Sequence, residues 1–224
     1  TPGDAPFASE SLWNYEAGLR FAAPGNTIRA NLSLFHMDWD NTQVRAQDAL
    51  TQRQVILNAE GSRHRGFEVD LALNPAPWLE VGAAYGYLDA RFRDFRNARD
   101  LDGNALDATG FRVPRSPENS ISTYSQVTVP LTDTLKLFGR AEYQFIDTFR
   151  EDVSLNDRRL NPSYELINLR AGIETGRFSV IGFVENLADT RFRFGTSNLE
   201  TFLSGAQASI GPHRRFGVTV SARY

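Results

Sequence analysis

The end of this chain alternates between apolar and polar side chains without interruption. Apolar side chains occupy every second position there, at Phe216, Val218, Val220, Ala222 and Tyr224. A period of two predicts a β-strand whose two faces meet different surroundings. Because chain termini usually fray into water, a strand that keeps its pattern to the last residue is expected to be paired throughout. Two architectures remain open at this point, the edge of a soluble β-sandwich and the lipid-facing seam of an outer-membrane barrel.

Composition leaves the fold class open but argues against several kinds of protein. The chain has 224 residues, of which 41% are hydrophobic and 23% charged. That balance fits a soluble protein and also a transmembrane barrel, in which only alternate residues touch lipid. No apolar run reaches the roughly eighteen residues that a transmembrane helix needs. The net charge of -3 gives no indication of nucleic-acid binding, and the absence of cysteine excludes disulfides.

Similar alternating segments recur along the whole chain and predict nine strands. They cover approximately residues 11–22, 27–42, 53–73, 79–93, 118–129, 135–150, 163–174, 178–194 and 208–224. Within the second segment the apolar positions change parity at Leu34 and Phe35, which predicts a β-bulge. The predicted connections alternate between turns of roughly two to five residues and loops of roughly ten to twenty, as in outer-membrane barrels. Several segments reach about fifteen residues, whereas soluble strands cluster near five or six. Both features favour the barrel over the sandwich.

The strand count predicts an incomplete barrel. Bacterial single-chain barrels have an even number of strands, and nine is odd. The chain also starts at Thr1 without methionine or a signal peptide. We therefore expect residues 1–224 to be the C-terminal part of a larger antiparallel transmembrane β-barrel, with short periplasmic turns and long extracellular loops.

Four short motifs carry a resemblance to one family. They are WNYEAGLR at 13–20, NAEG through RGFE at 58–68, NLAD followed by RF at 186–192, and GPHRRFG at 211–217. In this order they resemble the barrel strands of TonB-dependent outer-membrane receptors. The third motif supplies the family residues Asn186, Leu187 and Asp189. The resemblance covers most of the chain, with Tyr224 where the family more often ends in phenylalanine.

The resemblance implies a 22-stranded barrel with a plugged lumen. These strands would be its last nine, with the plug domain, the TonB box and the first thirteen strands absent. The implied function is uptake of a scarce ligand, most often a ferric siderophore and otherwise haem, cobalamin or a glycan. TonB, ExbB and ExbD would drive it through the missing N-terminal region, in the outer membrane of a Gram-negative bacterium. The implied partners are the barrel-assembly machinery, which would read the closing strand, and outer-membrane lipid and lipopolysaccharide. A passive porin remains an alternative.

Candidate site residues fall in loops and at strand ends. Arg96, Arg99 and Arg112 lie in a charged loop and could bind an anionic ferric siderophore or lipopolysaccharide phosphates, because arginine binds such oxygens bidentately. A solvated loop with internal ion pairs is the alternative. The alternating residues His36, Asp38 and Asp40 are expected to face a hydrated lumen rather than hold a metal. Two further sets are assigned by parity: an outer aromatic girdle of Phe35, Met37 and Trp39, and a pore lining from the basic clusters at 63–65 and 213–215.

The sequence gives no support for an enzymatic function. There is no nucleophile elbow, no HExxH zinc motif, no phosphate-binding loop and no paired cysteines. We therefore predict no catalytic residues, no metal site and no cofactor.

Overall fold

Nine antiparallel strands form one sheet in which each strand pairs with the next along the chain. The computed structural model describes residues 7–47, 54–99, 105–153, 157–198 and 206–223. The strands are β1 (Ser11–Ala22), β2 (Ile28–Asp40), β3 (Gly61–Ala76), β4 (Leu79–Asp94), β5 (Asn119–Pro130), β6 (Leu135–Ile146), β7 (Tyr164–Thr175), β8 (Phe178–Glu185) and β9 (Arg215–Ala222). The predicted all-β meander of nine strands is confirmed.

Short turns and long loops lie at opposite ends of the sheet. The turns join β1 to β2, β3 to β4, β5 to β6 and β7 to β8, and the loops make the other four connections. Each loop carries a small hairpin, as where Gln43–Gln47 pairs with Gln54–Asn58. This hairpin occupies part of the segment predicted as the third strand. The eighth predicted strand likewise ends early, at Glu185, and the loop after it contains the pair Arg193–Asn198 and Ala206–Ile210. Alternation alone does not distinguish a wall strand from a loop hairpin that continues in the same direction.

The two faces of the sheet differ in chemistry along its whole width. One register row runs from Leu19 through Leu32, Val69 and Tyr85 to Ile121, and directly paired residues share a face. We call this side the apolar face; the opposite side, with residues such as Arg20 and Asn31, is the polar face. The apolar face is open, with Leu19 and Val220 each 70% exposed. Among the described residues no second sheet covers it, which is incompatible with a sandwich.

The predicted bulge at Leu34 and Phe35 is wrong. Strand β2 pairs with β1 and with β3 in unbroken register from one end to the other. What changes at this point is the surroundings of each face. Beyond Leu34 the apolar face carries His36, Asp38 and Asp40, and the polar face carries Phe35, Met37 and Trp39. Trp39 lies in the same register row as Phe92, which is buried beneath the loops. The change in parity therefore marks the level at which the strand leaves the apolar band.

This register corrects three assignments made from parity. His36, Asp38 and Asp40 lie on the apolar face together with Leu34, and not on the polar face. Phe35, Met37 and Trp39 lie on the polar face and so cannot belong to an outer girdle. Arg63 and Arg65 point to the apolar face because they pair with Asp38 and His36, which leaves His64 alone of that cluster on the polar face.

Candidate functional site

The polar face provides a continuous charged and hydrogen-bonded surface. Arg140 donates to Glu142 at 2.7 Å and to Gln126 at 3.0 Å, and its guanidinium lies 4.1 Å from the centre of the Tyr124 ring. Further along the sheet, Arg215 donates to Glu185 at 2.6 Å. Such a surface is suited to line a water-filled lumen.

The closing-strand residues lie on the opposite, apolar face. Phe216 is 83% and Val218 66% exposed, and they pair with Val184 and Gly182 of β8. Val220 and Ala222 continue the same row, whereas Tyr224 lies outside the described residues. The row is open to its surroundings because nothing in the described part of the chain packs against it.

Three of the long loops pack into one body, which we call the loop cap. It consists of the described residues in 41–60, 95–118 and 147–163. Its core is formed by Ala59, Phe95, Ala98, Ala108 and Val153, which are buried together with Phe92 of β4. Phe92 and Phe95 contact each other with ring centres 4.9 Å apart. Apolar side chains thus anchor the charged loop after β4.

Backbone hydrogen bonds join the loop cap to the wall. Phe92 donates to Phe111 and Gly110 donates back to Phe92, at 3.0 and 2.9 Å, while Val113 donates to Ala90. A further bond of 2.8 Å runs from Arg115 to Arg150 in the next loop. These bonds extend the sheet beyond β4 and fix the positions of the loops relative to the strands.

The three predicted ligand-contact arginines differ in their surroundings. Arg96 is 76% exposed on its side chain and pairs with Asp94 at 2.7 Å. Arg112 is bound inside the cap, donating to Leu88 at 3.0 Å and pairing with Glu118. Arg99 is exposed on a short strand opposite Ala105. Of the two arginines whose ion pairs are described, Arg96 is the more exposed, at 76% of its side chain against 25% for Arg112.

The same loop contains a carboxylate that is held ionised. A hydrogen bond from the Thr109 hydroxyl, and then one from the Thr109 N–H at 2.9 Å, keep the pKa of Asp107 below its ordinary value. The positive charge of Arg96 acts in the same direction.

A pocket of about 390 Å³ opens between two loops of the cap. Its lining includes Arg91, Arg112, Arg150, Phe111 and Phe149, with Asp152 as the one acidic side chain. Cationic and aromatic groups in one concave surface suit an anionic, partly apolar ligand. Sequence reasoning identified only Arg112 here, because the others come from segments that the fold brings together.

The NLAD motif forms a turn that holds the segment before β9. Asn186 is buried and has a positive φ of 52°. Its side-chain oxygen accepts the Thr190 N–H at 2.8 Å, and its amide nitrogen donates to the carbonyls of Thr190 and Pro212, both at 3.0 Å. From the other side, Asn168 of β7 accepts the Asn186 N–H at 2.9 Å. Sequence alone did not indicate Asn168.

Asp189 completes the turn. Its carboxylate accepts the Arg214 N–H at 2.9 Å and lies 3.3 Å from the ring nitrogen Nδ1 of His213. The Arg214 N–H is the main cause, ahead of His213, that lowers the pKa of Asp189 from its ordinary value. Leu187 contributes its backbone, donating to Ile167 at 2.8 Å. The motif therefore connects β7, β8 and β9 at one point.

Steric crowding explains why the residue before β9 at position 211 is glycine. A side chain at Gly211 would bring its Cβ to 2.0 Å from the Phe192 ring, which stacks on Tyr164 with centres 4.6 Å apart. Only glycine leaves room for this ring against the backbone.

Two other features are absent from the described residues. No three histidine, aspartate or glutamate side chains there are grouped so that they could hold a metal ion. No helix in the same part of the chain is both long and apolar enough to cross a membrane.

The fold of this sheet is similar to part of several solved structures. The ferric yersiniabactin uptake receptor FyuA from Yersinia pestis matches with a TM-score of 0.76 and 19% identity, over 97% of this chain and 30% of that one. The ferric-catecholate import receptor Fiu from E. coli gives 0.69 and 20%, over 97% and 28%. The copper transporter OprC gives 0.69 and 14%, over 97% and 32%. The chain thus spans about a third of the length of each.

The sequence comparison identifies the family directly. The model of the family described as TonB dependent receptor-like, beta-barrel matches residues 1–199, which is most of the chain. The two-faced meander with long loops at one end agrees with that match. The chain belongs to the TonB-dependent receptor-like beta-barrel family.

Proposed function

We propose that this chain is part of the wall of an outer-membrane receptor that takes up a scarce ligand. The observation that carries the proposal is the sheet with one open apolar face and one hydrogen-bonded polar face. Lipid would cover the first, and a lumen would lie along the second. The family match supports a receptor rather than a passive porin. In this proposal the protein lies in the outer membrane of a Gram-negative bacterium.

The proposed place of residues 1–224 is the C-terminal part of the barrel, as the last nine of its 22 strands. The plug and the TonB-binding segment would belong to another part of the protein. Uptake would need TonB, ExbB and ExbD, acting through that other part. The barrel-assembly machinery would read the row from Phe216 to Ala222.

The proposed ligand is a ferric siderophore. Two of the similar structures are receptors for ferric siderophores, while OprC transports copper, so the fold alone leaves the ligand open. The loop cap favours an anionic chelate because its pocket combines arginine and aromatic side chains. Arg96 would make the first contact, with Arg99 and Arg112 nearby in the same loop.

Uptake of radioactive iron by cells tests the proposal. Cells that carry the full-length receptor as their only siderophore receptor are supplied with a panel of ferric siderophores. We expect saturable uptake of at least one of them and its loss when TonB is deleted. Uptake that survives the deletion would instead indicate a passive pore, and uptake of none would refute the siderophore assignment.

A matched pair of variants tests the ligand face. Arg96→Gln removes an exposed charge from the loop cap, and Arg177→Gln removes one from a short turn at the other end of the sheet. We expect the first to weaken uptake severalfold and the second to leave it unchanged. Equal uptake by both variants would remove Arg96 from the ligand site.

A further inference from the structure

Two arginines stand opposite each other on the polar face of the sheet. Arg140 of β6 and Arg170 of β7 are paired directly in register, so their side chains lie side by side on the same face. At this level the other face of β7 carries the apolar residues Leu169 and Ala171. The two arginines therefore lie at the depth of the apolar band, about 20 Å along β6 from its end at Ile146.

The charge of Arg140 is compensated within the wall. Glu142 accepts a hydrogen bond from Arg140 at 2.7 Å, and Gln126 accepts a second one at 3.0 Å. The Tyr124 ring, whose centre lies 4.1 Å from the guanidinium, supports it from another side. Because a guanidinium has five N–H donors and these bonds use two of them, Arg140 is held in place with donors to spare.

The charge of Arg170 has no such compensation. Its side chain is exposed and forms no ion pair or hydrogen bond within the described part of the chain. Two carboxylates flank it diagonally on the same face, Glu142 on β6 and Glu185 on β8. Each of them already binds another arginine, Glu142 at Arg140 and Glu185 at Arg215. Since directly opposed like charges destabilise a sheet, the register leaves one positive charge here without a partner.

An aromatic ring lies next to this free arginine. Phe183 of β8 pairs in register with Arg170 on one side and with Gly217 of β9 on the other. A Cβ at Gly217 would lie 2.7 Å from the Phe183 Cζ, so the ring lies against β9 where only glycine leaves room for it. Arginine and phenylalanine thus stand together here, as they do in the pocket of the loop cap.

We propose that Arg140, Arg170 and Phe183 form a second anion site, which holds an anionic, partly apolar ligand on its way through the lumen. An anionic oxygen pair accepts hydrogen bonds from both guanidinium groups and relieves their repulsion. Two sites of the same chemistry, one in the loop cap and one deep in the wall, suit a ligand that moves from the first to the second. This inference rests on the proposed function and adds to it a position on the route of the ligand.

Charge-selective labelling in the lumen tests the site without knowledge of the ligand. Ile181 lies diagonally opposite Arg170 on the polar face, and the chain has no cysteine, so Ile181→Cys in the full-length receptor places a thiol beside the site. Energised cells are treated with a sulfonate or a trimethylammonium methanethiosulfonate, and each rate is divided by the rate of the same reagent with free cysteine. The anionic reagent should react about tenfold faster, because one uncompensated positive charge lies about 7 Å away.

A matched pair of arginine variants locates the charge. Arg170→Gln should abolish the preference for the anionic reagent. Arg20→Gln is the control, because Arg20 is also exposed on the polar face but faces Asn31 in register. It should change the preference by less than about twofold, since the intervening water screens its charge. Equal loss in both variants would show a generally positive lumen instead of a site, and a preference that survives Arg170→Gln would exclude the pair.

A thiol that neither reagent reaches is equally decisive. It would show that solutes do not pass this level of the lumen, and so would overturn the proposal. If Ile181→Cys does not give a heat-modifiable barrel, Thr219→Cys replaces it as the reporter, because Thr219 pairs in register with Ile181 on the same face.

Uptake kinetics separate a ligand site from a contact inside the receptor. For an anionic ferric siderophore, Arg170→Gln should lower the maximal uptake rate severalfold, with KM and the binding to cells without TonB unchanged, because the ligand binds first at the loop cap. If Arg170 instead holds an acidic side chain from another part of the receptor, uptake of uncharged ferric siderophores will fall by the same factor. Failure of the proposed function gives a different result, since the wild type then takes up no ferric siderophore while the labelling still decides whether the anion site exists.

Discussion

Asn186 is expected to be the most sensitive single position in the approach to β9. Its side chain makes three hydrogen bonds that connect the turn after β8 with Pro212. Its backbone adopts a positive φ, which asparagine tolerates better than alanine. In Asn186→Ala the three bonds are lost, and the N–H and carbonyls that they satisfied lose their partner inside a buried turn.

The size of the destabilisation follows from the lost hydrogen bonds and from the backbone conformation. Three hydrogen bonds contribute about 1 kcal/mol each to the free energy of unfolding, and the left-handed backbone adds about 1 kcal/mol for alanine. We therefore expect Asn186→Ala to destabilise the barrel by about 3–5 kcal/mol. Asn186→Gly loses the same bonds without the backbone cost, so it should be about 1 kcal/mol less harmful.

Urea unfolding of the full-length receptor in lipid measures both values, with heat-modifiability on gels as the test of folding. Asp133→Ala is the control, because that aspartate is exposed in the short turn between β5 and β6, and it should change stability by less than about 0.5 kcal/mol. If Asn186→Ala unfolds like the control, the hydrogen bonds of the turn do not fix the last strand. If alanine and glycine at this position behave alike, the argument from backbone conformation is wrong.

Three further predictions concern the wall, the loop cap and the turn. Val220→Arg should cost about 2–4 kcal/mol near mid-bilayer and lower the amount of folded barrel in outer membranes. Thr219→Arg, on the polar face, should leave that amount unchanged, and equal amounts of the two variants would contradict the assignment of the faces. Phe95→Ala should cost the loop cap about 3–5 kcal/mol and hasten proteolysis within residues 95–118, and unchanged cleavage would show that the core does not hold the loops. Asp189 has a pKa below its ordinary 3.8, so its stabilisation is complete above that value and fades as pH falls through the lowered pKa. Amide exchange at Arg214 should therefore rise in strong acid in wild type but be independent of this titration in Asp189→Asn, and identical profiles would exclude the carboxylate.

The sequence by itself determined the architecture of the wall. A period of two needs only the local geometry of a strand, so the alternation from Phe216 to Ala222 predicted which side chains share a face. The alternating short and long connections predicted a meander with all its loops at one end. The motif at Asn186, Leu187 and Asp189 identified a turn and its family, although not the bonds that the turn makes.

Only the tertiary structure decided where each environment begins and ends. The period of two cannot tell lipid from a packed loop, because both favour apolar side chains. That ambiguity turned the change at Leu34 and Phe35 into a false bulge and placed Asp38 on the wrong face. Strand register across β2, β3 and β4 was needed to bring Arg63 and Arg65 to Asp38 and Asp89, since these residues are distant in the chain and their pairing depends on long-range hydrogen bonds. The core around Phe95 depends in the same way on loops that meet only in the folded protein.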